Sequence, residues 1–227
     1  MHRRDVLSSL IAMGAGSMGF SAWAASFTSG EASQALKTAL ERGAKAAVAQ
    51  LGKENGFLND PKVRIALPGF LEDAAPVLKT LGKGKDIDEL ITGMNRAAEQ
   101  AVPMALPLLQ SAIKSMTVTD AERIITGGDT SVTQFFSDKT RPTLSRKFQP
   151  SVAKVTSKLA LIKPYNELAG KAAKMGLVKG DEANVAQYVT GKALDGLFLV
   201  IGEQERLIRK DPLGTGSDLL KKVFGSL

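Results

Sequence analysis

The chain predicts an all-α fold, a single compact domain of about eight helices gathered around a helix near its C-terminal end. Three observations carry that expectation. Apolar residues recur at three- and four-residue spacing along most of the sequence. Extended alternation occurs at one place, Val63-Ile65-Leu67 against Lys62, Arg64 and Ala66. The stretch Gly191–Gly202, GKALDGLFLVIG, holds five apolar residues in a row, Leu197 to Ile201. On a helix such a run faces every direction and is expected to be buried on all sides. It is far shorter than the ~20 residues of a membrane span, so the surrounding medium should be protein.

Taken in order, the elements follow from caps and periodicity. Residues 28–51 form a first helix: Thr28-Ser29-Gly30-Glu31 has capping-box spacing, Leu36, Leu40, Ala44, Ala47, Val48 and Leu51 make one stripe, and Gly52 ends it. A connection rich in Gly, Asn and Pro leads to the alternating stretch 63–67, at most one short strand. A lone strand needs backbone partners from elsewhere. Residues 69–81 read as a helix bent near Pro76, and 86–116 as a longer one opened by Asp86 and divided by Pro103 and Pro107. Thr119-Asp120-Ala121-Glu122 reads as a second capping box, closed by Gly127-Gly128. Asp129 caps a segment carrying Phe135 and Phe136, and 140–160 follow as a separate helix with Leu144, Phe148, Val152, Val155 and Leu159 on one side. A helix runs from Lys163-Pro164 to Met175. Asp181 is placed to cap the central helix, which Asp211-Pro212 stops, and Ser217 opens a short terminal helix through Phe224.

Residues 1–24 read as a cleavable leader. His2-Arg3-Arg4-Asp5 is a basic start, an apolar Gly-rich stretch follows, and Ala22-Trp23-Ala24 matches a cleavage site. Arg3-Arg4 followed by Val6-Leu7 also fits twin-arginine export. The expected location is the periplasm or the exterior, with residues 25–227 as one helical domain. The chain has no Cys, its one His is His2 and its one Trp is Trp23, so the exported part lacks all three. Disulfides are excluded, as are His- or Cys-dependent triads and zinc sites of the usual His/Cys type. No phosphate loop, EF-hand or dinucleotide fingerprint is present, and no cofactor or metal is expected. Catalysis would have to come from carboxylates, Lys, Ser/Thr, Tyr165 or Tyr188.

Three phrases carry a family resemblance: Asn55-Gly56-Phe57-Leu58-Asn59-Asp60-Pro61 with Val63-Arg64-Ile65, MNRAAEQAVP at Met94–Pro103, and KALDGLF at Lys192–Phe198. Together they resemble the bacterial exported proteins grouped as domain of unknown function 4197. The resemblance covers nearly all of the chain beyond the leader and implies a helical envelope protein. It implies no activity, catalytic residue or ligand.

Two constellations could carry function. Asn95, Arg96, Glu99 and Gln100 are a dense polar group on a helix that otherwise packs, and both Glu99 and Gln100 fall within reach of Arg96. Arg96 and Glu99 read as a solvated face; the sharper alternative is an internal network reaching the central helix through Asp195. Asp195 sits between Leu194 and Leu197, with Lys192 three residues earlier as its expected partner. The other constellation is charge. Residues 138–179 hold Lys139, Arg141, Arg146, Lys147, Lys154, Lys158, Lys163, Lys171, Lys174 and Lys179 against only Asp138 and Glu167. Lys147, Lys154 and Lys158 line up across from the Leu144–Leu159 stripe, beside Arg146, as a basic face suited to an anionic membrane surface or an envelope protein. Nucleic acid fits poorly, because export separates the chain from it and aromatic residues are few. The reading is a non-enzymatic binding module. The alternative is a hydrolase or lyase using Asp195, Lys192 and Glu99, which would require the three to converge in a deep pocket.

Overall fold

The computed structural model describes residues 29–210. Its helices are α1 (Ser29–Leu51), α2 (Gly69–Leu78), α3 (Gly84–Ala101), α4 (Leu106–Lys114), α5 (Val118–Thr126), α6 (Ser131–Thr156), α7 (Ile162–Lys174) and α8 (Val185–Lys210). The all-α expectation holds, but the count of about eight separate helices does not. A π-type turn (Lys79–Lys83), kinked at Gly82, and a 3-10 turn (Val102–Ala105) carry α2 into α3 and α3 into α4. Apart from a single 3-10 turn at Gly180–Glu182, the described helical residues therefore form six continuous runs. Pro103 and Pro107 divide that long run without ending it, because each sits in a first turn, where a missing N–H costs little.

The two segments expected over 129–160 are one helix. In α6, Val132, Phe136, Thr140, Leu144, Phe148, Val152 and Thr156 are buried at an unbroken four-residue spacing, while Pro142 and Pro150 lie on the exposed side. Four residues overshoot one turn by ~40°, so the buried stripe winds around α6. The helix thereby packs on α8, α3 and α4. Thr140 and Thr156 donate their hydroxyls to Phe136 O and Val152 O, which leaves both satisfied inside the core.

Caps differ in detail. Thr117, not Thr119, opens α5: its hydroxyl accepts from Asp120 N–H, and the Asp120 carboxylate accepts from Thr117 N–H. Asn184 rather than Asp181 caps α8, accepting from Ala186 N–H at 2.8 Å. Thr130, without a side-chain cap bond, precedes α6 in place of Asp129, and α3 begins two residues before Asp86. The leader, Thr28 and the expected helix over 217–224 lie outside the described residues.

Most of the buried apolar side chains form one continuous core. α8 runs through it and packs most extensively on α6, with α1 and α3 also against it. Leu197, Phe198, Val200 and Ile201 are buried, but Leu199 is 40% exposed. Burial on all sides is therefore corrected to burial on all but one, because Lys192, Asp195 and Leu199 form an exposed ridge at helical spacing.

No strand occurs among the described residues. The 63–67 segment does alternate as its sequence requires, with Val63, Ile65 and Leu67 buried and Arg64 and Ala66 exposed. Together with the turns at 53–62 it forms a strap over α3 and α8; Val63 N–H and Arg64 N–H donate to Asp60 O, while Ile65 and Ala66 are bonded by side chains of those helices.

Candidate functional site

The strap junction brings together residues from all three phrases that carried the family resemblance. Asn95 of α3 is fully buried. Its amide accepts from Ile65 N–H and donates to Ile65 O, both at 2.9 Å, and donates also to Ile91 O at 2.8 Å. A single side chain thus supplies both bonds that a neighbouring strand would have given Ile65. One turn on, Glu99 is 4% exposed. Its Oε1 accepts from Phe57 N–H (3.0 Å) and Leu58 N–H (3.2 Å), and its Oε2 from Arg96 (2.6 Å). Arg96 donates onward to Asn55 (2.9 Å) and Glu54 (3.1 Å). On the other side, Gly196 of α8 lies so close to the strap that a Cβ there would stand 2.8 Å from the Phe57 ring and 3.2 Å from Val63. Tyr188 donates its hydroxyl to Ala66 O at 3.1 Å, and burial pushes the phenol up to about 12.

These positions correct four expectations. Arg96 and Glu99 are a network and not a solvated face, because the strap covers them. That network ends on the strap and does not reach Asp195. Gln100 is exposed and stands outside it. Asp195 pairs with Arg141 of α6 rather than with Lys192. Lys192 instead lies over the Tyr188 ring, 5.7 Å from its centroid, while Arg141 also stacks on Phe198 at 5.6 Å. Asp195 and Lys192 line a shallow groove of about 300 Å³ with Lys62, Arg64 and Tyr188. Lys62 is tied to Glu203 at 2.7 Å, which raises its pKa. Glu99 is not part of this groove.

The predicted basic residues Arg146, Lys147, Lys154 and Lys158 are all exposed. Arg146 bonds Thr143 at 3.3 Å. Lys158 stands in the turn after α6, which ends at Thr156 and not at 160. Eight ion pairs occur among the described residues, and of the ten cations over 138–179 only Arg141 takes part in one.

A further cluster was not anticipated. Glu205 of α8 is 4% exposed; its Oε1 accepts from Ser131 Oγ, from Val132 N–H and from Arg209, while its Oε2 has no hydrogen-bond partner. Burial raises its pKa, and the Arg209 guanidinium opposes that shift. Arg209 also donates to Ile124 O at 2.7 Å. Ser131 and Ile124 of this cluster, with Arg123, Asp120, Asp138 and Lys139, line a cleft of about 570 Å³ between α5 and α6. Glu205 sits in a sequence that otherwise reads as an exposed helix end, and its burial depends on α5 and α6 closing over it. Among the described residues no cluster of His, Cys, Asp and Glu could hold a metal ion, and no helix is long and apolar enough to cross a membrane.

The fold and the junction define an all-helical protein whose central helix is strapped by an extended segment held through buried polar side chains. The chain belongs to the family described as protein of unknown function (DUF4197), whose model matches residues 26–225. No curated protein and no solved structure matches it.

Proposed function

We propose that this chain is a non-enzymatic protein of the cell envelope, periplasmic or secreted, that binds an anionic partner. The binding surface is the basic face made by the end of α6, the turn after it and α7. One observation carries the reading: Arg146, Lys147, Lys154, Lys158, Lys163, Lys171, Lys174 and Lys179 are exposed, and none forms an ion pair among the described residues. Eight unneutralised cations within 34 residues set up a positive field that attracts and orients a polyanion. The envelope location rests on the leader-like residues 1–24. The hydrolase or lyase alternative has less support, because Asp195 is held by Arg141 on an exposed ridge while Glu99 is committed to the strap. The acid–base set does not converge.

Binding to vesicles tests the proposal. The protein should bind vesicles containing phosphatidylglycerol and ignore neutral ones. Each Lys near an anionic surface contributes ~1 kcal/mol, so replacing Lys147, Lys154 and Lys158 with Gln should weaken binding roughly a hundredfold. Added salt should act the same way, given a screening length of ~8 Å at physiological ionic strength. The fold should survive, since all three side chains are exposed. Equal binding to neutral and anionic vesicles, or none at low salt, removes the membrane-surface reading and leaves an acidic protein as the partner to seek.

A further inference from the structure

α7 combines charge with exposed apolar surface. Its inner side is small: Ile162, Tyr165 and Ala169 are buried, Tyr165 donates its hydroxyl to Glu182 O at 2.6 Å, and Asn166 accepts from Val185 N–H at 3.0 Å. Its outer side carries Leu168, 58% exposed, and Met175, 67% exposed. These are seven residues apart and therefore on one face, with Lys171 between them at i+3 from the first and i−4 from the second. The helix ends in a Schellman motif. Gly176, at φ 73°, allows Leu177 N–H to donate to Ala172 O (2.9 Å) and Gly176 N–H to Ala173 O (3.0 Å). The hydrophobic residue after such a cap commonly packs back on the helix. Here Leu177 is 72% exposed and faces solvent beside Met175.

A second exposed apolar pair, Val77 and Leu81, shows what is distinctive about this one. It too lies near lysines, but of Lys79, Lys83 and Lys85 the last two are paired with Asp86 and Glu89, which leaves one cation there without an ion pair among the described residues. Lys163, Lys171, Lys174 and Lys179 around Leu168, Met175 and Leu177 form no ion pair among the described residues. Apolar side chains on the outer side of a helix, framed by long lysines without ion pairs among the described residues, match the chemistry of the boundary between anionic headgroups and acyl chains. There the lysine heads stay with phosphate while their stems lie along the apolar side.

We infer that α7 and the turn after it insert into an anionic lipid bilayer, with Leu168, Met175 and Leu177 as the inserted contact. This rests on the basic-face reading above and names the bilayer as the partner. Because the chain has no Cys, a Leu168→Cys variant carries a single environment-sensitive fluorophore. Its emission should shift to the blue with phosphatidylglycerol vesicles and not with phosphatidylcholine vesicles or heparin, while the same dye on Leu81→Cys should not respond. The triple variant Leu168→Ser, Met175→Ser, Leu177→Ser, folded by circular dichroism, should lose about tenfold or more in vesicle affinity and less than about twofold in heparin affinity. If the intact protein binds neither heparin nor vesicles, the basic-face reading fails and the insertion with it. If it binds both, but the dye at 168 stays unshifted and the triple variant keeps its vesicle affinity, insertion alone is overturned. An equal shift at position 81 also overturns the assignment to α7.

Discussion

The strap junction and α7 break the same rule in opposite directions. At the junction, polar side chains lie inside: Asn95 and Glu99 are buried, and every oxygen and nitrogen of both has a partner. On α7, large apolar side chains lie outside, with more than half of Leu168, Met175 and Leu177 exposed. Buried polar groups and clustered exposed apolar ones are the informative departures from ordinary burial. Their meanings differ. A fully satisfied buried network specifies how elements meet, because any other arrangement leaves its members unpaired. Exposed apolar side chains among unpaired cations do nothing for the folded state, so their use is sought outside it. The junction is structure, and α7 is the surface we propose for a partner.

The largest expected effect tests the first half of that contrast. Asn95→Leu keeps a comparable volume but leaves Ile65 N–H and Ile65 O buried without partners. Each orphaned group costs about 1–3 kcal/mol, so the variant should lose about 4 kcal/mol in a denaturant titration and melt about 10 °C lower. A loss below about 1 kcal/mol would mean that the Asn95 bonds do little to hold the strap. The junction would then be no more specified than α7.

How much of this was legible in the sequence follows from where each partner lies. The all-α class, the central helix and the alternation of 63–67 depend on local periodicity, and all three are seen. The alternating stretch is not a strand because its partner is the amide of a residue 30 positions away on a helix, and no local pattern announces that. Thr117 rather than Thr119 caps α5 because two overlapping Thr-x-x-acid patterns compete there, and the sequence does not rank them. Asp195 has an eligible partner on its own helix in Lys192, yet it takes Arg141, which only the α6–α8 packing brings near. The segment 129–160 reads as two helices, but the buried stripe runs unbroken past Pro142 and Pro150. The sequence places a helix up to Met175, but the exposure of Leu168 and Met175 appears only once the buried side of α7 is seen to consist of Ile162, Tyr165 and Ala169.

Glu205 sharpens the comparison as a buried carboxylate that falls short of what Glu99 has. Like Glu99 it is paired with an Arg on its own helix, but one of its oxygens is unpartnered. Burial raises its pKa above that of a free glutamate. The folded state therefore holds this proton more tightly than the unfolded state. The stabilisation from that proton is fully present below the unfolded pKa and is lost as pH rises through the folded one. Glu205→Gln removes that dependence. The melting temperature of the variant minus that of the parent should therefore increase from pH 4.5 upward and level off above the folded pKa. A difference independent of pH would show that Arg209 and Ser131 compensate the buried charge as fully as the strap compensates Glu99.

The smallest expected effect tests the other half, and its smallness is the point. Leu168 contributes little to the core if its exposed side faces only solvent, so Leu168→Ser should change stability by no more than about 0.5 kcal/mol. For a domain of this size that is a melting shift of about 1–2 °C. The replacement keeps the helix length, the inner contacts of Ile162, Tyr165 and Ala169, and the Schellman cap at Gly176. A loss above about 1.5 kcal/mol would require that another part of the chain covers Leu168 in solution, because burial of a Leu side chain is worth roughly that much or more. Leu168 would then not be open to an external partner. A loss within about 0.5 kcal/mol, measured without lipid, leaves the apolar side of α7 open to an external partner.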